Sequence, residues 1–439
     1  DTVGVSMTTD PSPSWLNVAV EGSYTTMTTL GDNGATRFVG VDNEGYIYIS
    51  NVHTIDKLDK DGTTVLETLG AGEFGGIYDI TFDKNNTLYV PDISRQKIKK
   101  IDTDGTVTTL AGTGTQGDEF GTALEADIAY VFGVLWDDDG SDKGVLYFSS
   151  RSNSRIKKLD LNTNEISLVA GTGEQGHTGN NGLAVSAKIK TPGPMEIVEY
   201  GGDKHLIFTE YTTKKIRKIN LRTGIITLVS FTDPNVSFGS PGDVKADING
   251  DLIVTDSGLK KIFKLITNDD GDTYEREVVV GSGNNAYSAD GDISNSTHLV
   301  PYTLAVGPDN SIYFVEVEVV NNEKHTRKLT YEVTETKLEG TPSDPDIGDH
   351  SVTLSLDDGN GGIATHNYTI TVTNVNDVPE VADMTANVDE DNTVSIPLTG
   401  TDLDGDALTF SVTGATNGSI DVEEFFDAAK IPGIRLWVD

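Results

Sequence analysis

Cysteine is absent from all 439 residues, which excludes disulfides, thiolate zinc sites and cysteine nucleophiles. Basic residues are scarce. Only 32 Lys and Arg stand against 69 Asp and Glu, for a formal net charge of −37. A field of that sign repels phosphate backbones and anionic membranes, so nucleic acid is excluded as a partner, while divalent cations are welcomed. No apolar run reaches the ~18 residues that a membrane-spanning helix needs, so no transmembrane segment is expected. The chain opens at Asp1 without a charged-then-apolar leader, which fits a mature product, and a secreted or cell-surface location is the expectation. Motifs of common chemistries are missing too: there is no GxSxG elbow, P-loop or HExxH.

What is present is repetition. Glycine is abundant at 47 residues, and Asn, Asp, Thr and Ser crowd between short apolar runs, which is turn chemistry between strands. One phrase recurs: an apolar strand, an Asp/Asn/Gly turn, a Tyr/Phe-rich strand, a Lys/Ile strand and a Thr/Val strand. Its copies start near Gly40, Asp79, Gly133, Glu196, Asp243 and Thr303. Four short strands recurring every 40 to 60 residues or so is the pattern of propeller blades. The sixth copy lacks its Thr/Val strand, and a spare one, YTTMTTLG from Tyr24, precedes the first. The expected fold class is therefore all-β: a six-bladed β-propeller with an N-terminal strand closing the last blade, which leaves no open sheet edge.

The blade wording, carried by QKIKKIDTDGTVTTLAG from Gln96, SRIKKLDLNTNEISLVAG from Ser154 and KKIRKINLRTGIITLVS from Lys214, resembles NHL repeats. The resemblance implies the fold but not one activity, because such propellers include protein-binding scaffolds, RNA binders, amidating lyases and relatives of lactonases. Three long Gly-rich connections, from Ala111, Ala170 and Gly281, each join an outer strand to the next inner strand. They are expected on one face of the disc, as the surface that recognises a protein or glycan ligand. The alternation of Lys/Arg with Ile in Lys97–Lys100, Arg155–Lys158 and Lys214–Lys218 reads as a strand with one buried face, its charges turned outward to protect edges.

From Val333 the character changes, with 21 acidic residues against 3 basic ones. DIGDHSVTLSLDDGNGG and HNYTITVTNVNDVP alternate with period two, as sandwich strands do. This wording resembles the second half of a bacterial cadherin-like, dystroglycan-type module, and VADMTANVDEDNTVSIPLTGTDLDGDALTF resembles the start of another cadherin-like or Ig-like repeat. Both copies are incomplete β-sandwich modules. The expected domains are thus a 1–23 leader segment, the 24–332 propeller, a 333–378 partial cadherin-like module, and a 379–439 second module with an atypical tail. EEFFDAAKI in that tail reads as a helical turn or two. The end at Asp439 suggests a piece of something longer.

Calcium takes six to eight oxygens on a turn able to wrap it. Asp402, Asp404 and Asp406 alternate around Gly405, and so many carboxylates repel one another unless a cation neutralises them. The family resemblance implies that Glu390 and the Asn374, Asn376 and Asp377 linker complete this Ca2+ site, with Asp357 at the other end of the first module. Within the blades, the residue after the second strand is often acidic: Asp92, Glu210, Asp256 and Glu316. These either cap turns or gather at the channel mouth as a metal or ligand site. Seven histidines show no ligand spacing, and His205 and His298 are the two to follow. The favoured function is an extracellular, bacterial binding or adhesion protein with calcium-stiffened C-terminal modules as a stalk. The alternative is a metal-dependent lyase or lactonase-type propeller enzyme.

Overall fold

The computed structural model describes residues 4–8, 16–30, 36–267, 271–283, 290–293, 300–317, 323–357, 363–389, 392–411, 419–423 and 433–437. His298, Glu390, Asp358, most of EEFFDAAKI and parts of the connection after Gly281 lie outside these residues.

A local device recurs where inner strands turn into second strands. Asp42 accepts the N–H groups of Glu44 (3.0 Å) and Tyr46 (2.9 Å) and the hydroxyl of Tyr48 (3.0 Å). Asp83 does the same for Asn85, Thr87 and Tyr89, and Asp247 accepts from Asn249 and Asp251. A carboxylate that stands in for a backbone carbonyl fixes the turn, so the repeated Asp is a folding instruction.

Six sheets result, with inner strands at Thr36–Val41, Thr81–Phe82, Val131–Asp137, Pro192–Tyr200, Pro241–Ala246 and Val300–Val306. The last blade takes its outer strand from the N-terminal side: Leu16–Thr29 lies hydrogen-bonded beside Lys324–Gly340. Met27 of that strand is fully buried between blades five and six, against Ile253, Ile262, Leu304 and Phe314. Leu30 enters the next interface with Val39, Ile47, Ala305 and Val315. The closing strand is longer than the Tyr24–Leu30 segment legible in the repeat, and Glu21 still meets Thr334 and Lys337.

The third-strand cations do not all face outward: Lys97, Lys100, Arg155 and Lys158 stay partly exposed, but the central ones are buried. Lys157, Arg217 and Arg327 have no exposed surface, and Lys99 retains 5%. Each reaches across a blade interface to the connection entering its own blade. Lys157 Nζ donates to Glu119 O (2.9 Å) and pairs with Asp118 (2.8 Å). Arg217 donates to Lys188 O (3.0 Å) and Thr178 O (3.2 Å). Long connections carry carbonyls that no ladder satisfies, and a buried cation with several donors satisfies them. In blade five Phe263 takes this slot, and Arg276 lies over its ring (4.3 Å) while donating to Ser237 O (2.6 Å).

The chain divides into Val18–Lys337 and a second unit that joins Val3–Asn17 to Leu338–Asp439. In the second unit Gly4–Thr8 pairs with Gly348–Asp357, which pairs in turn with Ile363–Val372. The segment read as a leader is thus divided between the two units. Glu380–Val381 pairs with Gly400–Thr401, and Gly433–Trp437 lies between Thr393–Pro397 and Ser419–Glu423. From residue 338 on, Val352 is the one buried hydrophobic among the described residues.

Candidate functional site

The six inner strands open onto a cavity of about 480 Å³ at one end of the channel. One repeat position, two residues before the buried apolar residue in or just before each inner strand, contributes a lining residue from every blade: Arg37, Tyr78, Phe132, Gly193, Gly242 and Tyr302. The end of the second strand or its turn adds Arg151, Tyr211 and Val317, and the start of the last blade's third strand adds Lys324. The glycines of blades four and five are required by crowding. A Cβ on Gly242 would stand 2.7 Å from Tyr302 O and 2.9 Å from Thr255 Oγ1. Room on that side and bulk on the other make the mouth asymmetric.

The bulky side is an ordered stack. The Arg37 guanidinium lies 4.8 Å from the Tyr78 ring centroid and hydrogen-bonds its hydroxyl. Tyr78 and Phe132 are 5.5 Å apart, and the Arg151 guanidinium lies 4.6 Å from Phe132. Burial holds the Arg151 guanidinium below its ordinary value, partly offset by the Tyr211 and Tyr78 phenols. No carboxylate lines the cavity among the described residues.

One residue deeper, Asp79 and Asp243 join neighbouring blades. Asp79 accepts the N–H groups of Ile80 and Val134 (2.9 Å each), and Asp243 those of Val244 (2.8 Å) and Leu304 (3.0 Å). Burial pushes both carboxyls up, as it does that of Glu196. Burial draws the Lys245 ammonium down, but the charges of Asp243, Asp79 and Glu196 outweigh it and keep it protonated.

The four blade carboxylates sit elsewhere. Asp92, Glu210, Asp256 and Glu316 are each at most 1% exposed, and none lines the cavity. Asp92 accepts from Gly75 N (3.0 Å), Glu210 from Lys190 N (2.6 Å), and Asp256 from Gly239 N (2.7 Å) and Ser240 N (2.8 Å). Glu316 pairs with Arg327 at 3.1 Å. At the end of the second strand, a carboxylate meets the free N–H groups of the incoming connection. His205 is buried beside Asp203 O (3.0 Å) and Asn220 (3.3 Å), and burial lowers its basicity.

In the second unit, ligand oxygens of Asp402, Asp404 and Asp406 lie within 4.8 Å of one another. Asp402 accepts Asp404 N (3.1 Å) and Asp406 N (3.0 Å) around Gly405, whose φ of +77° favours glycine. Asp404 receives Asn374 Nδ2 (2.6 Å) and Asp377 N (2.5 Å), so the linker and the acidic turn do meet. Asp344, which the sequence did not single out, leads Asp404 and Asp402 in raising the Asp377 carboxyl. Asp377 Oδ2 is buried without a hydrogen-bond partner. A crowded acidic shell with a donorless oxygen fits a hard divalent cation. Asn376 turns to Asp377 O instead (2.9 Å). Asp357 ends the strand that begins at Gly348, ~30 Å from its start at 3.3 Å per residue.

No protein-family profile matches the chain. NHL repeat-containing protein 2 of Gallus gallus is 26% identical over 189 residues, covering 41% of this chain and 24% of that protein. These support an NHL-type propeller. The chain spans between 9% and 24% of the length of the curated relatives it matches. Among solved structures, a Bacteroides thetaiotaomicron protein of unknown function aligns at a TM-score of 0.51, with 17% identity over 72% of this chain and 77% of that one. An auxiliary nutrient binding protein from the same species aligns at 0.50, with 13% identity over 71% and 77%. At these identities the likeness is one of fold. One fold hosts many unrelated functions, so the ring alone does not separate binding from catalysis.

Proposed function

We propose that the chain is an extracellular binding protein whose NHL-type propeller recognises its ligand, a glycan or a protein segment, at the channel mouth. The observation that carries this reading is the 480 Å³ cavity, to which a single repeat position contributes from all six blades. Concave, largely aromatic sites with a few placed polar groups are where proteins hold ligands. The carboxylates that could have made a mouth metal site are instead engaged by backbone N–H groups and by Arg327, which favours binding over a metal-dependent lyase or lactonase. The C-terminal unit serves as a stalk, with Ca2+ held by Asp402, Asp404, Asp406 and Asp377 beside Asp344. Its small described core is the reason it needs a cation to be stiff.

The test is a thermal-shift screen of glycans and peptides on the full chain and on Phe132→Ala and Tyr211→Ala. A hit whose shift disappears in both variants supports the reading. Hits indifferent to both variants, or turnover of a hit that stops when metal is removed, would overturn it in favour of another surface or of catalysis.

A further inference from the structure

The mouth is a local reversal of the molecule's charge. A chain with net charge −37 gathers Arg37, Arg151 and Lys324 around one cavity whose described lining contains no carboxylate. Elsewhere in the propeller, buried cations have their donors engaged: Lys157 by Asp118, Lys264 by Asp247 and Asp251, Arg327 by Glu316, and Arg217 by two backbone carbonyls. Neither Arg37 nor Arg151 has an ion pair among the described residues. Among the described residues, the one hydrogen bond from either guanidinium goes to the Tyr78 hydroxyl. A guanidinium carries five donors. Most of those at the mouth are therefore uncommitted, although Arg151 is half-buried, where an unmatched charge is costly.

Geometry says what would match it. The order Arg37, Tyr78, Phe132, Arg151 is a cation–ring–ring–cation stack with successive spacings of 4.8, 5.5 and 4.6 Å. Stacking fixes the Arg151 guanidinium against Phe132 while leaving its N–H donors free for a bidentate oxyanion, whereas Arg37, at the far end of the stack, spends a donor on Tyr78. Tyr211 and Tyr302 add ring surface to the same cavity, where Gly193 and Gly242 carry no side chain. We infer that the mouth is a site for a compact organic carboxylate carried on a ring, with its oxyanion held by Arg151 and its ring laid against Phe132 and Tyr211. This rests on the proposed ligand-binding role of the cavity and adds the class of ligand. Uronic acid units of a glycan and aromatic acids share this chemistry.

The experiment is calorimetric titration of the full chain with matched pairs: digalacturonate and its dimethyl ester, and 4-hydroxybenzoate and 4-hydroxybenzamide. One acid is expected to bind at least tenfold more tightly than its neutral partner, and the pair that does so identifies the source. Arg151→Gln should weaken the acid tenfold or more while leaving the neutral partner within twofold. Arg151→Lys should recover part of the loss, and raising the salt should erode the preference. Melting curves of the variants separate lost binding from lost folding. An acid and its neutral partner of equal affinity would overturn the carboxylate assignment, as would the absence of binding by any probe. Neutral binding that Phe132→Ala abolishes would leave the ligand-binding role standing without it. Binding of every probe that ignores all of these variants would remove both.

Discussion

Replacing Arg217 with Met tests whether buried third-strand cations hold the loops that shape the mouth. Arg217 has no exposed surface, and it clips both sides of the short bridge between Thr178 and Lys188, within the connection that ends at Thr191 and Gly193 on the cavity wall. Two hydrogen bonds from a charged donor are worth ~1.5–3 kcal/mol each. Against this, removing the guanidinium relieves its desolvation, which the structure registers as a lowered Arg217 basicity and an unpartnered Nε. The net loss is about 2 kcal/mol, confined to the connection. Amide exchange at Gly176, bonded to Ile189 O at 3.3 Å, should therefore quicken about thirtyfold, given tenfold per ~1.4 kcal/mol. Amides inside Asp203–Glu210 should not change. Unaltered protection at Gly176, or global unfolding with no local step, would refute the reasoning.

Other perturbations have equally definite outcomes. Met27→Ala empties a fully buried site in the closing interface and should cost about 2–5 kcal/mol in denaturant titration, whereas an unchanged midpoint would mean that the N-terminal strand does not close the ring. Burial raises the Glu210 carboxyl from 4.5 to about 7. The stability linked to its proton is complete below its unfolded value and is lost as pH rises through about 7, a fall of ~3 kcal/mol at 1.36 kcal/mol per pH unit. Glu210→Gln should abolish that fall, and parallel pH profiles of the two proteins would contradict it. Calcium at about a hundred times its Kd should stabilise the C-terminal unit by ~2.7 kcal/mol and protect it from protease. Asp404→Asn should remove that protection, and chelation without effect would sink the calcium stalk.

The ring was legible because its instructions are local and repeated. The turn Asp at positions 42, 83 and 247 and the orphan Thr/Val strand specify blades and closure before any contact is known. The buried cations were misjudged because alternation with Ile reports which strand residues differ, not what the opposite face meets. Lys157 and Arg217 face loop carbonyls from a connection tens of residues away in sequence. The mouth was missed for a similar reason. Arg37, Tyr78, Phe132 and Tyr302 occupy one repeat position but differ in kind, so they look like variation until the ring brings them together. Aligning the copies on that buried apolar residue and reading the residue two before it would have found them. The acidic turn at Asp402 was visible from composition, but Asp344 joins it only through folding.

The central claim is that the channel mouth is a ligand site with a fixed anion-holding edge. A crystal structure of the full chain soaked with 4-hydroxybenzoate and, separately, with digalacturonate tests it most directly. The account predicts a carboxylate hydrogen-bonded to Arg151, with its ring against Phe132 or Tyr211. Both ligands absent from the mouth, or seated there with the carboxylate turned away from the Arg151 guanidinium, would contradict it.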